Sequence, residues 1–272
     1  MSDLWDEELT LDECLRAEAN GVDIPNEHYH ELQGLSGSQL SLLAESNLHY
    51  ENRRLFSPGT RDCFTFGTLV HTLSLEPHKA NNYCIMPTFE TKAKSGVTIA
   101  EQKAEFLEDH HDKIIVTSAD YEKAERMAEN VRAICGGFLD DALIERSLFA
   151  EYAPGVVIKC RIDAQVGIDD YDLKTITPKG MAMSEVTLKH HTKDFGYIQS
   201  AAFRNVVRRS LGCDVGDSYL IYVATTPGHM VKIRRIPTAL IAEAEDAAHD
   251  LLLLRRRWLK NHTDIEIKDI LA

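Results

Sequence analysis

The chain has 272 residues, a mass of 30.6 kDa and 44% hydrophobic residues, enough to bury a sizeable core, and nowhere the 18 to 20 successive apolar residues that a membrane span needs. Its 43 acidic against 30 basic residues give a formal charge of −13, which argues against coating nucleic acid by net attraction but leaves room for a local basic channel. The acidic start MSDLWDEELT is unlike a signal peptide, and Cys14, Cys63, Cys84, Cys135, Cys160 and Cys213 stand singly without zinc or redox spacing, so reduced thiols in a cytoplasmic chain with no membrane segment are expected.

Residues 1–23 set Leu4, Leu11 and Leu15 among acidic residues and read as an acidic amphipathic N-terminal extension; residues 24–272 read as a single domain. Ser36 or Ser38 is placed to cap a short helix through Leu40, Leu42 and Leu43, followed by Arg53 and Arg54. The spacing of Phe66, Leu69, Val70 and Leu73 predicts a helix over 64–75 with one buried stripe. His71 lies roughly 140° from that stripe's centre, on the side that Gly67 leaves open. Residues 87–113 are polar, with Lys92 and Lys94 at the front and a helix at the back. Thr117 to Asp120 has capping-box spacing and starts a helix expected to stop at Gly136-Gly137.

From residue 145 the hydrophobic period becomes two. Strands are expected over 145–152, 156–163 and 171–176, a helix over 194–211, strands over 218–225 and 230–236, and a closing helix over 238–260. This order of helices followed by β-β-β-α-β, a strand and a helix gives a mixed α/β fold, α+β in its segregation, with a central mixed sheet flanked by helices.

The chemistry concentrates at Asp163 and Tyr171-Asp172-Leu173-Lys174. Residues two apart on a strand share a face, so Asp172 and Lys174 project together, and a hairpin brings Asp163 beside them. Two carboxylates and an ammonium suit a hard divalent cation that shares phosphate oxygens with a substrate. A cross-strand ion pair on a solvated sheet face is the structural alternative.

Asp163 followed by Asp172-Leu173-Lys174 resembles the PD-(D/E)xK nuclease motif, with Ile162 where a proline often stands. Tyr197-Ile-Gln199 is similar to the Y-x-Q element of the RecB-like branch, and Phe66 to Pro77 is similar to the helix of RecE-type (exonuclease VIII) nucleases that presents a metal-binding histidine. The similarity takes in Ile24 to His30 and Leu35 to Leu40 and covers about four fifths of the chain. The resemblance implies a PD-(D/E)xK restriction-endonuclease-like core and a phage or prophage double-strand DNA exonuclease working 5′ to 3′ in a bacterial or phage-infected cell. It further implies a single-strand annealing protein as partner and a closed homo-oligomeric ring, trimer or tetramer, around DNA ends.

By residue, the resemblance implies Mg²⁺, with Mn²⁺ as substitute, bound by His71, Asp163, Asp172 and the Leu173 carbonyl. Lys174 positions or deprotonates the attacking water, Gln199 and Tyr197 orient the lysine or the DNA, and Glu145 is the superfamily's additional acidic residue. No cysteine follows Cys213, so no iron–sulfur cluster is expected. Phosphate contacts are expected from Arg204 and Arg208 and from Arg53, Arg54 and Arg61. The rival functions are a structure-selective or restriction-like endonuclease on the same fold and a noncatalytic DNA-end-binding module.

Overall fold

The computed structural model describes residues 9–53, 62–89, 97–178, 183–194 and 196–262. In chain order these form α1 (Leu11–Arg16), α2 (Asn26–Glu31), α3 (Leu40–Glu45), α4 (Asn47–Glu51), α5 (Asp62–Leu75), β1 (Tyr83–Ile85), α6 (Ile99–Asp109), β2 (Ile114–Val116) and α7 (Ser118–Leu139). They continue with β3 (Leu143–Ala153), β4 (Val156–Val166), β5 (Asp169–Ile176), α8 (Glu185–Asp194), α9 (Tyr197–Ser210), β6 (Ser218–Ala224), β7 (Val231–Arg235) and α10 (Thr238–His262). Among the described residues no helix is long and apolar enough to cross a membrane.

Strands β3 to β7 form one sheet in sequence order, and β1 and β2 pair separately in parallel. The β3–β4, β4–β5 and β6–β7 pairs are antiparallel, while β5 and β6 run parallel, so α8 and α9 supply the crossover between them. Period-two patterning carries through: Val156, Ile158, Cys160 and Ile162 all join one core with Leu148 and Ala150 of β3 and Phe203, Val206 and Val207 of α9. A second core lies under α5 and α7, where Leu69, Val70 and Leu73 meet Met127, Val131, Leu173 and Ile221. The fold is thus a mixed α/β arrangement with its central mixed sheet between helices, α5 and α7 packing against Leu173 and Ile221 while α9 packs against β3 and β4.

Three local differences from the sequence reading have physical reasons. Helix α7 starts where expected, with the Asp120 N–H donating to the Thr117 hydroxyl at 3.0 Å, but it continues through Gly136-Gly137 to Leu139. The two glycines cost the helix about 1 kcal/mol each relative to alanine, offset because Phe138 and Leu139 pack on the α5–α7 core. Helix α8 and the short β1–β2 pair were not anticipated; only Leu188 and Thr192 of α8 are buried, too few for a periodic signal. Finally, the space beside Gly67 is not open: a Cβ there would meet the Thr175 hydroxyl at 3.4 Å, so the glycine lets α5 approach β5 closely.

Within the described part of the acidic extension, Cys14 and Val22 are buried with Tyr29 and Phe149, and Leu11 and Leu15 pack against them. Val22 and Ser147 exchange main-chain hydrogen bonds of 2.8 and 2.9 Å, which ties this segment to the edge of β3. Lys92 and Lys94 lie outside the described residues.

Candidate active site

The site forms where β4 and β5 part. Their ladder runs only through Val166↔Asp169, Gln165↔Asp170 and Ala164↔Tyr171. One step further, the Leu173 N–H donates to Asp163 Oδ2 at 2.8 Å, so a side chain replaces a main-chain acceptor. On β3, Glu145 lies between the pairs Ile144↔Ala164 and Arg146↔Ile162, opposite Asp163, with a φ of +52° that is uncommon for a residue with a side chain.

Helix α5 brings His71 onto these two carboxylates. Its Nε2 lies 3.3 Å from Glu145 Oε1 and 3.3 Å from Asp163 Oδ2. Because α5 is buried around most of its circumference, Leu69, Val70, Thr72, Leu73, Ser74 and Leu75 included, the position off the apolar stripe still faces protein rather than solvent. One ligand atom from each of His71, Glu145 and Asp163 lies within 4.8 Å of the others. An imidazole and two carboxylates at this separation fit a divalent cation such as Mg²⁺ or Mn²⁺.

The charges in the cluster are strongly coupled. Burial alone would pull His71 down, but the Asp163 carboxylate, by charge and hydrogen bond, and Glu145 outweigh it and raise the imidazole to about 9. Burial, with the Asp163 charge adding to it against His71, lifts Glu145 to about 7. Asp163 is itself held well below the usual carboxylate range, because Lys174 and His71 overcome its burial.

Asp172 and Lys174 form an adjacent pair, Nζ to Oδ2 2.7 Å. Leu173 between them points into the α5–α7 core, as alternation on a strand requires. Burial pushes Asp172 up and is only partly offset by Lys174 and Arg204. Lys174 is held above its ordinary value, Asp172 and Asp163 outweighing its burial, and presents an ammonium. Its Nζ lies 5.6 Å from the centre of the Tyr197 ring at the start of α9. Gln199, one helical step on, is exposed.

The expected site residues therefore meet in two groups. His71, Asp163 and Glu145 make one cluster, and Asp172, Lys174 and Tyr197 make the other, with the Leu173 main chain joined to Asp163. Asp172 is engaged by Lys174 and Arg204 rather than by the histidine cluster.

The expected phosphate contacts need correction. Arg204 is buried, with Nε 2.8 Å from Asp170 Oδ2 and Nη1 3.3 Å from Asp172 Oδ1. Arg208 is buried too, donating to the carbonyls of Ile168 and Asp214 at 2.9 and 3.2 Å. Both fail as DNA-facing residues because the sheet and α10 cover this side of α9, so these two arginines serve buried acceptors. Arg53 donates to the Tyr50 carbonyl at 3.3 Å and lies over that ring; Arg54 and Arg61 are outside the described residues.

Sequence reasoning missed Asp170, Glu76 and Arg161. Asp170 accepts from Arg204 and from the Ser218 hydroxyl at 2.6 Å, anchoring the cation that holds Asp172. Glu76, past the end of α5, is close enough to add to the upward push on Glu145. Arg161 approaches Glu145 at 3.6 Å and donates to the Ile24 carbonyl at 2.7 Å, linking the site to the N-terminal segment. The alternating Asp170-x-Asp172 on one face of β5 was the available signal, since a buried carboxylate needs a partner.

Comparison with known proteins agrees with this architecture. A crystal structure from Eubacterium rectale, named as that of a "putative exonuclease", superimposes with a TM-score of 0.57 at 14% identity, covering 90% of this chain and 89% of that one. At that identity the likeness shows a shared fold. No curated protein matches the chain. The family model described as "PDDEXK-like domain of unknown function (DUF3799)" matches residues 32–250, which include every residue of both clusters. This chain belongs to that PDDEXK-like family, and its sheet carries the family's nuclease-type core.

Proposed function

We propose that this protein is a metal-dependent double-strand DNA exonuclease that degrades the 5′-ended strand and leaves a 3′ single strand for an annealing protein. The observation that supports it most is the approach of His71 Nε2 to within 3.3 Å of both Glu145 and Asp163, beside the Asp172–Lys174 pair. His71, Glu145 and Asp163 would hold a divalent ion, with Asp172 next to them. When bound, such an ion supplies Lewis acidity that acidifies water and neutralises charge on a phosphate.

The chain's own groups do the rest. Hydrolysis adds water to phosphorus and breaks one P–O ester bond, leaving a phosphate monoester and a hydroxyl. Lys174, fixed by Asp172, offers N–H donors to the attacking water or to a non-bridging phosphate oxygen as negative charge grows there. Arg204 holds Asp172 in place through a buried ion pair and is a positioning residue. Tyr197 packs near the Lys174 ammonium and Gln199 extends from the same turn, where both can orient the substrate strand.

End-directed action, strand polarity, the annealing partner, a closed trimeric or tetrameric ring and a cytoplasmic setting are supported by the resemblance to RecE-type nucleases at His71, Asp163, Asp172, Lys174 and Gln199. The test uses purified protein with Mg²⁺ on linear duplexes labelled at either end and on a closed circular duplex. Immediate release of the 5′ label, late release of the 3′ label and an intact circle are expected. Cutting of the circle would favour an endonuclease, and binding without any cutting would favour a DNA-end-binding module.

A further inference from the structure

A second concave surface lies past the carboxyl ends of β5 and β6, apart from the carboxylate cluster. It is a groove of about 770 Å³ between α7 and the β6–β7 turn, with Lys123, Arg126, Asn130, Thr225 and His229 in its walls. Ala119, Lys123, Arg126 and Asn130 recur at i, i+4, i+7 and i+11, so one stripe of α7 makes one wall.

The opposite wall is pinned to that helix. Asn130 Nδ2 donates to the carbonyls of Gly228 and His229 at 3.1 and 3.0 Å, and the His229 N–H donates to the Thr226 carbonyl at 3.0 Å. These bonds hold His229 at a φ of +41°, a left-handed conformation that costs a residue with a side chain on the order of 1 kcal/mol. Thr225 begins the turn, its N–H donating to the Ile176 carbonyl at 2.8 Å and its hydroxyl 2.7 Å from that of Thr177. Thr177 and Thr225 directly follow β5 and β6, so the groove opens at the end of the strand that carries Asp172 and Lys174.

Most arginines near the sheet are committed elsewhere: Arg161 and Arg204 to carboxylates, Arg208 to carbonyls, Arg234 and Arg235 to Glu185 and Asp217. Lys123 and Arg126 pair with no carboxylate among the described residues, and Lys123 Nζ lies 5.2 Å from the centre of the Phe66 ring. Glu129 also lines the groove, so two cations face one anion in a chain of charge −13.

The geometry points to this groove as a site that binds the phosphodiester backbone of the substrate, with Lys123 and Arg126 contacting phosphate oxygens. This rests on the nuclease reading and gives it the phosphate contacts that Arg204 and Arg208 do not provide. Phosphate contacts made outside the carboxylate cluster are the same in ground and transition states, so they govern binding rather than turnover.

The test is a Lys123→Gln/Arg126→Gln double variant, with Arg126→Gln alone as a second variant because Arg126 is exposed and its loss leaves the packing of α7 intact. Binding of a short labelled duplex is followed by fluorescence anisotropy over a range of salt with Ca²⁺ present, beside cleavage with Mg²⁺ and calorimetry of the metal alone. The double variant is expected to bind at least tenfold more weakly, with a salt dependence shallower by about 2 in log–log slope. Arg126→Gln alone is expected to lose about half of that slope, while kcat at saturating DNA and metal affinity stay at wild-type values. Unchanged affinity and slope in both variants, with a wild type that binds and cuts DNA, would overturn the groove alone; a wild type that neither binds nor cuts DNA would overturn the nuclease reading and the groove with it.

Discussion

Asp163 Oδ2 accepts the main-chain N–H of Leu173 at 2.8 Å and lies 3.3 Å from His71 Nε2. One carboxylate thus closes the gap between β4 and β5 and also faces the imidazole delivered by α5. Sheet integrity and the chemistry of the site share a single oxygen atom.

Asp163→Ala should therefore do two things that an isolated ligand would not. It removes a ligand, abolishing cleavage, and leaves a half-buried main-chain N–H without its acceptor, costing about 1–3 kcal/mol of stability. Asp163→Asn keeps an acceptor for Leu173 but not the charge, so it should recover most of the stability and none of the cleavage. Urea denaturation alongside a cleavage assay separates these effects; equal stability for both variants would detach Asp163 from the β5 main chain.

Arg204 is expected to behave as a buried structural cation. Arg204→Met leaves Asp170 and Asp172 buried without it, at a cost of about 3–5 kcal/mol. Cleavage should fall because Asp172 loses its anchor. Loss of DNA affinity with unchanged stability would return Arg204 to the DNA-facing role that its burial contradicts.

The contrast between Asp163 and Arg204 shows what was legible in the sequence. Strands β3, β4 and β5 were readable because Val156, Ile158, Cys160 and Ile162 alternate and Pro154-Gly155 marks the turn, which fixes the spacing of Asp163 and Asp172. Arg204 and Arg208 read as a charged helix face, because a sequence does not state that α10 covers α9 or that Asp170 lies opposite. Gly136-Gly137 read as a stop, yet Phe138 stacks near Tyr171 with ring centres 4.7 Å apart and draws the helix onward. His71 lay off the apolar stripe, and only the resemblance singled it out; its carboxylate partners come from strands more than 70 residues away in sequence.

Lys159 supplies a pH dependence away from the site. It is buried on β4, its Nζ donating to the carbonyls of Tyr29 and Leu32 at 2.5 and 2.6 Å, and among the described residues no carboxylate pairs with it. Burial, reinforced by Arg53 and Arg161, lowers it from the ordinary 10.5 to about 8. Between these values the unfolded chain holds a proton that the folded chain has released, so this residue's contribution to stability rises with pH from about 8 to 10.5 and is flat below about 8. The difference in unfolding free energy between wild type and Lys159→Met should grow across that window by no more than about 3 kcal/mol. A flat difference curve would show that Lys159 titrates normally.

A ring is part of the same proposal. A chain of −13 that acts on a polyanion gains by pooling its few free cations along one lumen, so a closed homo-oligomer, trimer or tetramer, is expected, with processive degradation that weakens steeply with salt. Light scattering of the active protein measures the mass. A monomer with distributive, salt-insensitive degradation would remove the ring.

We propose that the His71, Glu145 and Asp163 cluster and the neighbouring Lys174 form one metal-dependent hydrolytic site. It is tested most directly by hydrolysis of a linear duplex by wild type and Lys174→Ala, with the divalent metal chelated and then restored, beside calorimetry of Mg²⁺ or Mn²⁺ binding. Wild type is expected to cleave only with metal, and Lys174→Ala to lose about a thousandfold or more at unchanged metal affinity, as for a group acting mainly in the transition state. Metal-independent cleavage, or near wild-type turnover by Lys174→Ala, would contradict it.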